Sequence, residues 1–72
     1  MSFNKNVSFD SVKFKRYRIE RKLKQEDVAR YCHVSINTIS SIENGIFQPR
    51  LQLYVAICDC LKIPVHSLWK YE

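Results

Sequence analysis

The sequence predicts an all-α fold, a compact domain of five short helices, and three observations lead to that prediction. Glycine and proline are scarce, with one Gly and two Pro among 72 residues, which favours helices joined by short connections. Apolar residues recur at spacings of three and four along most of the chain, the period of a helix with one buried face. Hydrophobic residues make up 46% of the chain, which is ordinary for a folded domain. We therefore expect one domain with a modest core and no room for a β-sheet.

The first helix is predicted to follow Asp10 or Ser11, because a side-chain oxygen there can accept hydrogen bonds from the free amides of the first turn. Phe14 and Tyr17 stand three residues apart and share one face of this helix, which is expected to end near Lys22. The residues before it show no periodic pattern. The predicted division of the chain is a flexible arm over residues 1–9 and a folded domain over residues 10–72.

The second helix is predicted to begin near Gln25, because acidic residues follow in its first turn, where negative charge suits the helix dipole. It is expected to end around His33. Ser35 is suited to cap a third helix, and Gly45 is suited to end it because glycine readily adopts a positive φ.

A fourth helix is predicted from about Arg50 to Leu61, since its apolar residues repeat at helical spacings. Pro64 is suited to open a short fifth helix that packs Val65 and Leu68 on the core.

The twenty-residue stretch QEDVARYCHVSINTISSIEN carries the pattern of two helices that cross steeply over a short turn. Such a crossing needs a small residue where the two backbones approach, and Ala29 stands at that place. It also needs an apolar residue under the turn, which is Val34. The other inward positions are Val28, Ile39 and Ile42.

Positive charge is concentrated in the first half of the chain. The net charge is +5, with twelve Lys and Arg against seven Asp and Glu. Between Lys13 and Arg30 only Glu20, Glu26 and Asp27 offset a cluster of cations. Such a cluster indicates a polyanionic partner, and a solvated helix face is the alternative. The cluster consists of Lys13, Lys15, Arg16, Arg18, Arg21, Lys22, Lys24 and Arg30.

With these features the chain resembles the Cro and lambda-repressor type of helix-turn-helix protein, also called the XRE family. The resemblance runs from about Val12 to Trp69, and the pattern SxxTIxxIENG in register with a matching fourth helix makes it specific. The residues that carry it are Arg18, Leu23, Gln25, Val28, Ala29, Val34, Ser35, Thr38, Ile39, Ile42, Glu43, Asn44, Gly45, Pro49, Leu51, Ile57, Leu61, Ile63 and Leu68.

The resemblance implies a sequence-specific double-stranded DNA-binding protein that acts as a transcriptional regulator, a repressor or autoregulator of phage, plasmid or restriction-modification type. It implies a recognition helix in the major groove and a structural ion pair between Arg18 and Glu43. Together with the charge distribution, it gives a set of expected phosphate contacts. They are Lys13, Lys15, Arg16, Lys24, Gln25, Ser35, Asn44 and Arg50.

The recognition helix is unusual because no Lys or Arg occurs between Cys32 and Pro49. Guanine is most often read by those two residues, whereas an Asn amide pairs with adenine and apolar groups pack on the thymine methyl. We therefore expect a palindromic operator with half-sites rich in A·T pairs. The residues expected to contact bases are Ile36, Asn37, Thr38, Ser40 and Ser41.

Two further departures from the family pattern concern loops. His33 occupies the turn position usually held by Gly, and His is among the residues that tolerate the left-handed region. After Gly45, where basic residues are common in the family, the chain has Ile46, Phe47 and Gln48. The absence of basic residues at this point removes phosphate contacts expected in the family, and the side chains of Ile46 and Phe47 are expected to be exposed.

One domain presents one recognition helix, so we expect a homodimer that places two such helices about 34 Å apart, one turn of DNA. The interface is expected to involve Phe47, Leu53, Val55 and Trp69. An antitoxin-like interaction protein on the same scaffold, which binds a toxin and its own promoter, is the alternative function. An antitoxin would need an extra segment that wraps the toxin. The segments outside the match are short, which favours the regulator.

The sequence lacks the residues that other classes of function require. Three cysteines without a Cys-x-x-Cys spacing argue against a disulfide framework and a zinc site, and His33 and His66 have no further ligands at suitable spacing. No serine has a paired base, so no catalytic residue and no enzyme activity are expected. We expect no metal, no cofactor, no small-molecule ligand and no membrane association, and a cytoplasmic protein.

Overall fold

Four α-helices, one 3₁₀ helix and two short strands form the part of the chain that the computed structural model describes, residues 7–71. In chain order they are β1 (Val7–Phe9), α1 (Ser11–Glu20), α2 (Gln25–Cys32), α3 (Ile36–Glu43), α4 (Leu51–Leu61), the 3₁₀ helix (Val65–Leu68) and β2 (Trp69–Tyr71).

The core lies between the four α-helices and the 3₁₀ helix. Its largest fully buried side chains repeat at the helical spacings seen in the sequence. These core residues are Phe14, Val28, Ile39, Ile42, Ile57, Cys58, Leu61 and Leu68.

α1 ends two residues earlier than predicted, because Lys22 adopts a left-handed conformation with a φ of 58°. No helix among residues 7–71 is long and apolar enough to cross a membrane.

The two strands pair antiparallel, with Phe9 opposite Trp69, so the prediction that the helices leave no room for a β-sheet is wrong. Phe9 is buried and makes edge contacts with Phe14 and Tyr54, at ring-centroid distances of 5.7 and 5.8 Å. Strands of three residues are too short to show an alternating pattern, which explains the error. Residues 7–9 of the predicted arm thus belong to the fold, and residues 1–6 lie outside the described part.

The predicted fifth helix is also wrong in kind, because only one 3₁₀ turn forms, over Val65–Leu68. The Leu68 carbonyl accepts a hydrogen bond from the Asp10 amide at 2.7 Å, which ties the end of this turn to the start of α1. The chain then leaves in the extended conformation that begins β2. Leu68 is buried as expected, but Val65 is 51% exposed.

Candidate nucleic-acid interface

α2 and α3 are joined by the three residues His33, Val34 and Ser35. His33 is left-handed, with φ 59° and ψ 41°, the conformation that the turn position demands. The Val34 amide donates to the Ala29 carbonyl at 3.0 Å, and the Ala29 side chain is buried where the helices meet. The turn therefore sets the angle between α2 and α3 without a glycine.

Ser35 caps α3, since its hydroxyl accepts a hydrogen bond from the Thr38 amide at 3.2 Å. The Ser35 and Thr38 hydroxyl oxygens also lie 3.0 Å apart and form a hydrogen bond in which either hydroxyl can donate. The first turn of α3 is thus fixed before any ligand is bound.

An ion pair of low exposure joins α1 to the end of α3. The Arg18 guanidinium donates from Nε to Glu43 Oε2 and from Nη2 to Glu43 Oε1, the second bond at 3.1 Å. The Arg18 and Glu43 side chains are 10% and 2% exposed. Arg18 Nη1 also donates to the Leu23 carbonyl at 2.6 Å, which fixes the chain just ahead of α2.

Gln25 extends this ion pair into a network of three helices. Its Nε2 donates to Glu43 Oε1 at 3.0 Å, a contact that sequence reasoning missed because the two residues are eighteen positions apart. A Gln amide carries two N–H donors. The bond to Glu43 therefore uses one of these donors and orients the amide.

The outer face of α3 carries the residues predicted to contact bases. Ile36 and Asn37 are exposed, and three hydroxyl residues beside them are half-buried. The opposite face of α3 is buried and carries Ile39, Ile42 and Glu43. The outer face carries both polar and apolar side chains, and none of them is charged. The half-buried residues are Thr38, Ser40 and Ser41.

The five cations predicted to contact phosphate lie on or beside helices α1, α2 and α4, and within residues 7–71 none of them takes part in an ion pair. The Lys13 ammonium and the Arg16 guanidinium lie 5.9 and 5.8 Å from the centre of the Tyr17 ring. Asn44 is exposed at the C-terminal end of α3. The five cations are Lys13, Lys15, Arg16, Lys24 and Arg50.

The segment after α3 turns back along the helix. Gly45 has a φ of 75°, and the Ile46 and Phe47 amides both donate to the Ser41 carbonyl, at 2.9 and 3.3 Å. The side chains of this segment border a shallow groove of about 370 Å³ beside the outer face of α3. We call it the α3 groove, and its lining residues are Asn37, Thr38, Ser41, Ile46 and Phe47.

The four residues predicted for a dimer interface do not share one site. Phe47 and Leu53 border a groove of about 460 Å³ between the helix-turn-helix turn and α4. Trp69 instead packs on Tyr54 at a ring-centroid distance of 5.2 Å and borders a smaller groove. Phe47, Val55 and Trp69 are all exposed, while Leu53 is half-buried.

The cysteines are arranged as packing residues. Burial and the neighbouring Cys60 raise the pKa of Cys32 to about 11, and burial raises the pKa of Cys58 and of Cys60. These thiols are therefore protonated at neutral pH and poorly nucleophilic. Among residues 7–71, no group of three or more His, Cys, Asp or Glu is placed to hold a metal ion.

Comparison with known proteins agrees with this geometry. A family model described as "Helix-turn-helix" matches residues 14–68. A relative from Methanocaldococcus jannaschii, named an uncharacterized HTH-type transcriptional regulator, is 37% identical over 60 residues, covering 83% of this chain and 91% of the relative.

Solved structures show the same fold. The biofilm regulator SinR, solved in complex with DNA, has a TM-score of 0.73 and 26% identity, covering 79% of this chain and 92% of SinR. The clp gene regulator ClgR from Corynebacterium glutamicum has a TM-score of 0.76 and 19% identity. The similarity to ClgR covers 79% of this chain but 61% of ClgR.

These findings define the class of protein: a DNA-binding transcription regulator built on a helix-turn-helix. The chain belongs to the helix-turn-helix family of XRE type, so the resemblance seen in the sequence is confirmed. The family and the relative's name indicate a regulator rather than an enzyme.

Proposed function

We propose that this protein binds a palindromic DNA operator as a homodimer and acts in the cytoplasm as a repressor or autoregulator of transcription. The observation that carries the proposal is the uncharged outer face of α3, held in place by the network of Arg18, Glu43 and Gln25. A rigidly held helix face can report small differences between base edges, because it does not adjust to a wrong sequence. The DNA complex of the similar regulator SinR supports DNA as the partner.

In this proposal the two kinds of contact are divided between elements. The outer face of α3 reads bases, while cations outside α3 neutralise phosphates and fix the register on the duplex. Asn37 is the main reader, because it is exposed near the N-terminus of α3 and its amide matches the N6 and N7 edge of adenine. The neutral phosphate contacts are Gln25, Ser35 and Asn44.

The homodimer follows from the single recognition helix, since a two-fold axis doubles the contacts and matches a palindromic site. Exposed apolar side chains favour an interface formed by α4 and its flanking segments. The groove bordered by Phe47 and Leu53 and the exposed faces of Val55 and Trp69 are the candidate surfaces.

Selection of bound duplexes from a random pool, followed by sequencing, tests the proposal. We expect enriched sites with two inverted, A·T-rich half-sites about one helical turn apart. Sedimentation of the free protein and of its complex with the selected site measures the stoichiometry. A monomer both at high protein concentration and on the palindromic site would contradict the homodimer.

The phosphate contacts predict a measurable change in salt dependence. Replacing Arg16 or Lys24 by Ala is expected to weaken binding to all DNA sequences and to lower the slope of log affinity against log salt by about one, because one fewer counterion is released. Titrations at several salt concentrations measure this slope. Lys70→Ala removes the same charge from β2 and serves as the control, with a smaller change expected. If the slope is unchanged in both Arg16→Ala and Lys24→Ala, these two side chains are solvated and do not contact phosphate.

A further inference from the structure

The α3 groove places two apolar residues beside the residues proposed to read bases. Ile46 is 78% exposed, the highest exposed fraction among the large hydrophobic residues of the described chain, and Phe47 is also exposed. Neighbouring exposed apolar side chains form a patch of the kind that marks an interaction site. A partner that covers the groove would remove this apolar surface from water.

Backbone hydrogen bonds hold this segment in a defined position. The hydrogen bonds from the Ile46 and Phe47 amides to the Ser41 carbonyl anchor both residues to the last turn of α3. The Gly45 amide donates to the Ile42 carbonyl at 3.1 Å, which fixes the start of the segment. The backbone of Ile46 is therefore anchored beside the groove that its side chain lines.

The chemistry of the groove selects its occupant. Three of its lining residues belong to the outer face of α3, so the groove is continuous with the surface proposed to enter the major groove. Its lining has no charged group and cannot neutralise a phosphate. Among the groups on base edges in the major groove, the thymine C5-methyl is the apolar one.

We propose that Ile46 forms the apolar wall of a subsite that receives a thymine C5-methyl group and so determines specificity from outside the recognition helix. This inference rests on the proposed function, because the subsite is formed only when α3 lies in the major groove. The apolar wall takes the methyl group, while the hydroxyls of Thr38 and Ser41 and the amide of Asn37 lie beside the polar atoms of the same base edge. The segment that carries phosphate contacts in the family pattern thereby becomes a reader of bases.

Removal of single methyl groups from the DNA tests the subsite. Each thymine of the selected half-site is replaced in turn by deoxyuridine, which deletes the C5-methyl and keeps the pairing edge. We expect one replacement to weaken binding of the wild-type protein about fourfold, the value for one buried methyl-sized group. In Ile46→Ala the loss at that same position is expected to fall below twofold, because the wall that contacts the methyl is gone.

Val65→Ala is the matched control, since it truncates another exposed aliphatic side chain, in the 3₁₀ helix. This variant is expected to keep the full fourfold loss on deoxyuridine. Circular dichroism checks that Ile46→Ala retains its helices, as expected for a largely exposed position. Binding to random duplexes is expected to stay unchanged in Val65→Ala, and in Ile46→Ala to weaken less than binding to the selected site.

The outcomes separate the two proposals. Deoxyuridine losses of equal size in the wild type and in Ile46→Ala at every thymine would overturn the subsite and leave the regulator intact. The absence of any deoxyuridine effect on the wild type would do the same. Failure to enrich any half-site from the random pool would contradict the proposed function, and the subsite with it.

Discussion

Arg18→Ala is expected to lower the free energy of unfolding by about 3–5 kcal/mol, the cost of breaking a buried ion pair by removing one partner. Glu43 would keep its charge in a position where its side chain is 2% exposed, with the Gln25 amide as its remaining hydrogen-bond donor. The Leu23 carbonyl would lose its bond from Arg18 as well. A domain of this size has a total stability of roughly 4–11 kcal/mol, so the loss is a large fraction of the whole, and a domain at the low end of this range would be partly unfolded.

Urea denaturation followed by circular dichroism measures this loss. Arg30→Ala is the control, because Arg30 pairs with Asp27 at the surface at 3.6 Å and such pairs contribute about 0–1 kcal/mol. The double variant Arg18→Met, Glu43→Leu removes both charges and is expected to recover most of the stability. If Arg18→Ala cost no more than Arg30→Ala, the network would have no part in holding α1 against α3.

Asn37→Ala is expected to weaken binding to the selected site by about 1–3 kcal/mol, and binding to random DNA by much less. The reason is that a bidentate amide–adenine pair forms only where the adenine is present. Asn37 is exposed, so the substitution leaves the core unchanged. Fluorescence anisotropy with the selected duplex and a random duplex measures both affinities under the same salt conditions.

Asn44→Ala provides the matched comparison, because Asn44 is the exposed amide proposed to contact phosphate. Its loss is expected to be similar on the two duplexes. An equal loss on both for Asn37→Ala would instead place Asn37 against a phosphate. Selected half-sites made of G·C pairs in contact with α3 would contradict the A·T preference.

The sequence predicted much of the fold because its helices are amphipathic. The apolar spacings located α2, α3 and α4, and the capping oxygens of Asp10 and Ser35 lie where the sequence suggested. The contact of Arg18 with Glu43 was predicted from the resemblance to the XRE family, since nothing in the local pattern joins residues twenty-five positions apart.

The features that the sequence did not predict depend on single long-range contacts. The Gln25–Glu43 bond requires the crossing of α2 and α3 to be known in three dimensions. The α3 groove depends on two amides sharing the Ser41 carbonyl, which no periodicity reports. For Ile46 and Phe47, the one signal was the absence of the basic residues expected at that point.

The pairing of β1 with β2 has a consequence for the order in which the molecule folds. It joins the first described element to the last, whereas α2 and α3 are consecutive helices separated by three residues. Closing a long loop costs more conformational entropy than closing a short one, and contacts between distant residues form late for that reason. We therefore expect the helix-turn-helix to be organised in the transition state while the strands are still apart. Sequence changes at Phe9 or Trp69 would then speed unfolding and leave the folding rate nearly unchanged.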